Sequence, residues 1–136
     1  MNRSKAREYM MSVLYQLDIN DDFDVDSKNL YMREDAGNQT EYCEEIFSLA
    51  CNKKEFIDNA IKAHCRGWEI GRMPKTDLAI LRLAACEVLF VDEVPDSASI
   101  NEAVELAKKY GEDKSPSYIN GILGAISSEK NKDEQQ

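Results

Sequence analysis

The sequence lacks most of the features by which an enzyme or a metalloprotein is recognised. It has one histidine, His64, and its six glycines are scattered, so that no glycine-rich phosphate loop is present. Cys65 follows His64 directly, and adjacent residues of a helix point about 100° apart, so the two are not placed as a nucleophile and its base. Ile61 stands three residues before His64, which excludes the Glu-x-x-His motif of di-metal bundles. We therefore predict no catalytic residue, no metal site and no cofactor.

Long apolar runs and closely spaced cysteines are also missing. No stretch approaches the roughly 20 apolar residues needed to cross a bilayer. The first eight residues lead into an amphipathic pattern and not into the apolar segment of a signal peptide. The cysteines form no C-x-x-C pair and are expected to be free residues of the apolar interior: Cys43, Cys51, Cys65 and Cys86. We expect a cytoplasmic protein in a reducing compartment, without a membrane partner.

Positive charge is scarce. The chain has 26 acidic and 17 basic residues and a net charge of −9, whereas a nucleic-acid-binding domain usually shows a basic patch. Arg3, Lys5 and Arg7 are a local exception at the start of the first predicted helix, where the helix dipole disfavours cations. Such side chains either bind phosphate together with the free amides of the helix, or pair with acidic neighbours such as Glu8.

Apolar residues recur at helical spacing along most of the chain. They predict helices over residues 4–18, 40–51, 53–64 and 78–91, and two more that begin near residues 96 and 115. Residues 20–38 read as an acidic connector with one helical turn at 27–32. The segment 78–91 is apolar on all sides and is expected to be the buried central helix of the second half. Ser99 and Glu102 have the spacing of a capping box.

No alternating strand pattern occurs, so the predicted fold class is all-α. We expect six or seven helices in two packed helical bundles within a single domain, residues 1–136. Its N-terminal half would cover about 1–68 and its C-terminal half about 69–128, joined near Trp68 and followed by a polar tail, 129–136. Tyr15 on the first helix and Tyr118 on the last either stack on unpaired bases or form the edge of the core.

Several segments of the chain carry a family resemblance. Residues 77–90 (DLAILRLAACEVLF), 100–108 (INEAVELAK) and 118–121 (YING) occur in this order, and the first helix contains KARE at 5–8 and LYQ at 14–16. In these segments and in their order, the chain resembles the NusB family of bacterial transcription antitermination factors. The same fold occurs as an extra domain of some RNA cytosine methyltransferases, but the stand-alone factor is the better match.

The resemblance implies two small helical bundles and a function in assembly rather than catalysis. Members of the family bind boxA, a short single-stranded RNA element of ribosomal RNA leader transcripts, as a heterodimer with the ribosomal protein NusE. That complex joins the RNA polymerase elongation complex with other Nus factors. By the same resemblance, RNA would contact Arg3, Lys5, Arg7, Tyr15 and Tyr118.

The resemblance also places Asp77, and less firmly Arg82, at the surface that faces NusE. Asn120 and Gly121 match a family signature, which we interpret as a helix-packing pair. The chain departs from the family in having fewer basic residues before helix one, and in Leu78 and Cys86 where basic residues and Tyr are common. A protein-interaction module or homodimer without RNA binding is therefore the alternative function.

Overall fold

The computed structural model describes residues 1–65 and 70–134, and these ranges contain seven α-helices and no β-strand. The helices are α1 (Arg3–Ile19), α2 (Lys28–Tyr31), α3 (Thr40–Asn52), α4 (Lys54–Lys62), α5 (Lys75–Phe90), α6 (Asp96–Tyr110) and α7 (Ser115–Glu134). The predicted all-α class is confirmed. The expected junction of the two halves near Trp68 lies outside the described residues, so the division of the domain stays a prediction.

Helix α1 begins where the sequence offers a capping side chain. The Asn2 Oδ1 atom accepts a hydrogen bond of 2.8 Å from the backbone N–H of Lys5, which satisfies one free amide of the first turn. The connector to α3 contains the expected single helical turn, α2. Phe23, in the same connector, packs against the core and attaches the connector to the body of the protein.

Helix α5 is the centre of the molecule. Every residue from 77 to 88 is buried, as expected of a helix that is apolar on all sides. It packs against the preceding helices α1, α3 and α4 and against the following helices α6 and α7. Its role is thus wider than the predicted core of the second half, because one helix supplies the interior for both groups.

Two expectations about local structure need correction. The capping box is wrong: α6 begins at Asp96, so Ser99 lies inside the helix, and its hydroxyl donates to Glu87 on α5 at 2.9 Å instead of accepting from a free amide at the helix start. The stretch expected as a polar tail continues α7 to Glu134. Lys130 holds it to the body, since its ammonium donates to the Val88 carbonyl and the Asp96 carboxylate, both at 2.8 Å.

The cysteines match the expectation of free thiols in the apolar interior. All four cysteines are free, and three of them are buried. Within the described ranges, no helix combines the length and the apolar character required to span a membrane.

Candidate nucleic-acid interface

The three basic residues at the start of α1 do not form one cluster. Successive residues of a helix turn by about 100°, so Lys5 points roughly 200° away from Arg3, whereas Arg3 and Arg7 lie about 40° apart. Lys5 is exposed, Arg3 is half-buried and Arg7 is buried. Alternation in the sequence therefore distributes the three charges over opposite faces of the helix.

Arg7 is part of a buried network that joins four helices. Its guanidinium donates two hydrogen bonds of 2.8 Å to the Glu87 carboxylate on α5. The same carboxylate accepts from the Tyr42 hydroxyl on α3 at 2.5 Å and from Ser99 on α6. Burial raises the pKa of Tyr42, and the charge of Glu87 raises it further. Since the Arg7 and Glu87 side chains are 8% and 1% exposed, Arg7 is directed into the protein and not toward a ligand.

Arg3 lies against α3 and the turn before it. Its Nε donates to the Gln39 side chain at 2.6 Å, and its guanidinium carbon is 4.1 Å from the centroid of the Tyr42 ring. A cation over an aromatic face is stabilised by the ring quadrupole. Arg3 thus contacts the outer side of the network that holds Arg7, away from the side of α1 that carries Lys5.

Lys5 and Tyr15 share a groove, which we call the α1 groove. It has a volume of about 630 Å³ and is lined by residues of α1, α5 and α6 together with Met1 and Glu34. Tyr15 is 37% exposed. Its ring is therefore accessible from the α1 groove, and its contact with RNA stays a prediction.

Asp77 and Tyr118 share a second cavity, the α7 pocket, of about 480 Å³ between the start of α5 and the α6–α7 connection. Asp77 is 5% exposed. Its Oδ2 accepts from the Ser115 hydroxyl at 3.0 Å, while its buried Oδ1 has no hydrogen-bond partner among the described residues. Burial raises the pKa of Asp77 above its usual value, the charge of Glu112 adds to this, and the Ser115 bond opposes it.

Tyr118 stands partly in the core. Its hydroxyl lies 3.7 Å from the Cys65 sulfur, and its ring packs against the buried cluster. Burial raises the pKa of Tyr118, and the contact with Cys65 adds to the rise. The ring also lines the α7 pocket, so Tyr118 forms part of the edge of the core, and its predicted contact with RNA stays a prediction.

The loop that forms this pocket needs a glycine. A Cβ atom at Gly111 would lie 2.7 Å from the Ser115 Cβ and 2.8 Å from the Ala107 carbonyl oxygen, closer than real Cβ atoms come. The Gly111 N–H also donates to that carbonyl at 2.8 Å and closes α6. The close approach lets Ser115 start α7 beside Asp77.

Arg82 has an internal role. Its guanidinium donates to both oxygens of Asp58 on α4, at 2.9 and 3.0 Å, and its Nη1 lies 3.3 Å from Asp18 on α1. Burial would raise the pKa of Asp58, but the bonds and charges of Arg82 and Lys54 outweigh it and lower the pKa. With 7% of its side chain exposed, Arg82 has little surface to offer a partner.

The interpretation of Asn120 and Gly121 as a packing pair is wrong. Both residues are exposed on α7. A Cβ atom at Gly121 would meet no atom within 4 Å, so no neighbouring helix requires the glycine. The buried stripe of α7 (Ile119, Ile122, Leu123 and Ile126) lies on the other face of the helix.

One group at the α1 groove was not found from the sequence. Tyr110, at the end of α6, donates its hydroxyl to Glu8 on α1, and Lys109 donates to both oxygens of the same carboxylate at 3.1 Å. These bonds lower the pKa of Glu8, that of Tyr110 first and that of Lys109 second. The residues are about 100 positions apart, and nothing in either segment signals that they meet.

Comparison with known proteins shows the family of the chain. A family model described as the NusB family matches residues 4–128. Transcription antitermination protein NusB of Alkaliphilus oremlandii is 40% identical over 126 residues, covering 91% of each chain. Its counterpart in Thermoanaerobacter pseudethanolicus is 43% identical over 127 residues, covering 93% of this chain and 90% of the relative.

Two solved structures extend the similarity to the fold. T. maritima NusB superposes with a TM-score of 0.85 at 28% identity and covers 98% of both chains. A chain from a crystal structure of antitermination factors NusB and NusE in complex with dsRNA superposes with a TM-score of 0.76 at 26% identity, covering 93% of this chain and 96% of that one.

Proposed function

The chain belongs to the NusB family, and from this premise we propose that it is an RNA-binding transcription antitermination adaptor, not an enzyme. In this role it pairs with the ribosomal protein NusE and binds boxA-type single-stranded RNA of ribosomal RNA leader transcripts. The observation that carries the proposal is the α1 groove, where exposed Lys5 and Tyr15 line one cavity. An ammonium group suits a phosphate, and an exposed ring suits an unpaired base.

The groove favours unpaired RNA over a duplex. Bases within a duplex are stacked on each other and offer no free face to a side chain, whereas single strands can place their bases on aromatic rings. A related structure holds NusB and NusE with double-stranded RNA, so a duplex competitor belongs in the test. Arg3 and Arg7 support the RNA face indirectly in this proposal, because they fix α1 to α3 and α5.

The α7 pocket suits the protein partner. The Asp77 carboxylate lines this pocket, where its charge can attract a cationic side chain, and Tyr118 provides an adjoining partly exposed ring. A net charge of −9 favours encounter with a basic ribosomal protein. Arg82 contributes here only by holding α1, α4 and α5 together.

The wider assembly follows from the same proposal. The pair of this chain with NusE would join the RNA polymerase elongation complex with other Nus factors, in the cytoplasm where transcripts are made. The second candidate is a protein-interaction module or homodimer without RNA binding. It is favoured because two of the three N-terminal cations, Arg3 and Arg7, bind other side chains of the protein.

A titration with labelled RNA tests the function. Fluorescence anisotropy at about 0.1 M salt, where charges are moderately screened, should show binding to a boxA-like single strand. A scrambled strand and a duplex should be poor competitors of this binding. Addition of NusE from the same organism should tighten it. If the protein binds all three RNAs equally well, or binds none of them whether or not NusE is present, the function is that of the interaction module.

Lys5→Ala provides the matched variant for this titration. The substitution should weaken binding to every RNA and reduce the slope of log affinity against log salt by about 0.7, the value for one phosphate contact of a single strand. Lys62→Ala, an exposed lysine on α4 outside the α1 groove, should leave affinity and slope unchanged. Equal effects of the two variants would place the RNA elsewhere.

Asp77→Asn separates partner binding from folding. Loss of the charged acceptor should weaken NusE binding by about 10- to 150-fold, since a hydrogen bond to a charged group contributes about 1.5–3 kcal/mol. The wild-type pKa is raised above its unfolded value, so the ionised carboxylate destabilises the fold near neutral pH, and this effect disappears as the pH falls. The variant should therefore be at least as stable as the wild type.

The pH dependence gives a second reading of the same variant. Wild-type affinity for NusE should fall as the pH is lowered toward the raised pKa of Asp77, and Asp77→Asn should lack this component. Calorimetric titration between pH 5 and 8 together with urea unfolding measures both quantities. A less stable variant with unchanged partner affinity would contradict the assignment of Asp77 to the partner surface.

A further inference from the structure

The α1 groove follows one face of a single helix. Lys5, Glu8, Ser12 and Tyr15 line it and recur at steps of three and four, the spacing that aligns side chains on a helix. The ten steps along the helix from Lys5 to Tyr15 cover about 15 Å at the rise of an α-helix. Stacked bases are spaced by about 3.4 Å. This face of α1 is therefore long enough to contact more than one base of an RNA strand.

A second helix delivers another aromatic ring to this face. Tyr110 ends α6, lines the groove and is 41% exposed. Its hydroxyl is bound by Glu8, which stands between Lys5 and Tyr15 along α1. The Lys109 ammonium binds both Glu8 oxygens and lies 5.2 Å from the Tyr110 ring centroid. The ring is thus held in place before any ligand arrives, which lowers the entropic cost of binding.

Both outer rings of the groove are accessible to a ligand. Tyr15 is 37% and Tyr110 is 41% exposed, whereas Tyr9 in the same groove is partly buried against the core. The groove is also less acidic than the chain as a whole. Glu8 and Glu34 are balanced by Lys5 and Lys109, so a phosphate backbone meets no local excess of negative charge.

Resting on the proposed function, we propose that Tyr110 is a second base-stacking residue of the RNA site. Tyr15 and Tyr110 each stack on an unpaired base of one RNA strand that lies along α1. Glu8 is a positioning residue, because it binds the Tyr110 hydroxyl and not the RNA. Lys109 neutralises Glu8 and keeps its carboxylate from repelling the strand.

Substitution of Tyr110 tests the assignment by affinity. Tyr110→Leu should weaken binding of the boxA-like single strand by roughly 5- to 150-fold, the effect of losing one stacked base. Tyr110→Phe keeps the ring and should stay within a few-fold of the wild type. Phe56→Leu removes an aromatic side chain that is 58% exposed but lies outside the α1 groove, and should change nothing. NusE binding in the absence of RNA should be the same for all variants.

A stacking signal gives a second readout. The fluorescence of 2-aminopurine, placed singly along the strand, is quenched when it stacks on a ring. One position should lose its quenching in Tyr110→Leu, keep it in Tyr110→Phe, and differ from the position that responds to Tyr15→Leu. In the wild-type complex, 4-thiouridine in the RNA should crosslink to the peptide that contains Tyr110. This experiment does not depend on the folding of a variant.

The outcomes distinguish the stacking role of Tyr110 from the proposed RNA-binding function on which it rests. If the wild type binds no RNA selectively, both proposals fail. If the wild type binds but Tyr110→Leu binds equally well, with unchanged quenching and crosslinks only elsewhere, Tyr110 is no stacking residue and the antitermination role stands. Loss of NusE binding instead of RNA binding would assign the groove to the protein partner and overturn the proposal.

Discussion

Glu87→Gln should lower the free energy of unfolding by about 3–5 kcal/mol, the cost of leaving a buried charge without its partner. The Arg7 guanidinium would remain 8% exposed beside an uncharged amide. The Tyr42 and Ser99 hydroxyls would lose a charged acceptor at the same time. Because the four side chains come from α3, α1, α6 and α5, the loss should affect the whole fold and not one helix. Urea unfolding followed by circular dichroism measures the change.

The control is Glu105→Gln. Glu105 also pairs with a lysine, Lys108, but its side chain is 69% exposed, and exposed ion pairs contribute little. This variant should stay within about 0.5 kcal/mol of the wild type. The double variant Arg7→Met/Glu87→Gln should recover part of the loss, since it removes both charges. Additive losses in the double variant would mean that the pair does not act as a unit.

Arg82→Leu should lower the free energy of unfolding by about 3 kcal/mol, the lower end of the range for a broken buried pair. The variant leaves Asp58 and Asp18 without their guanidinium, although Asp58 keeps Lys54 at 3.0 Å. Affinity for NusE, measured where the variant is still folded, should be unchanged. A stable variant that has lost NusE binding would instead place Arg82 at the partner surface.

The same variant should be less sensitive to mild acid than the wild type. In the wild type the pKa of Asp58 is lowered, so its pairing stabilises the fold above the unfolded pKa and is lost as the pH falls through the folded one. Without Arg82 most of that pH-dependent stabilisation is absent. Unfolding midpoints from pH 7 down to pH 3 measure the difference, and Lys28→Leu, at an exposed ion pair, serves as the control.

Helix positions were predicted well because their causes are local. The start of α1 at a capping Asn2, the single turn of α2 and the complete burial of α5 follow from residues close together in the chain. The 3.6-residue repeat of apolar side chains decides which face of each helix is buried. The capping box at Ser99 failed because α6 already begins at Asp96, so Ser99 lies inside the helix and its hydroxyl donates to the distant carboxylate of Glu87.

The candidate site was predicted only in part. Lys5 and Tyr15 lie together because they share a face of one helix, and Asp77 and Tyr118 because α7 starts beside α5. The roles of Arg7 and Arg82 were not visible, since their partners Glu87 and Asp58 are 80 and 24 residues away. A basic residue has the same appearance in a sequence whether it faces solvent or a buried carboxylate.

By itself, the sequence determined the fold class, the order of helices, the family resemblance and the acidic charge. Each of these depends on composition, on spacing within a helix or on the order of segments along the chain. Tertiary structure alone decided which of the N-terminal cations pair with buried groups, which carboxylates are buried and which rings stand on one groove. Those properties depend on contacts such as Tyr110 with Glu8, whose 102-residue separation is closed only when α6 packs beside α1.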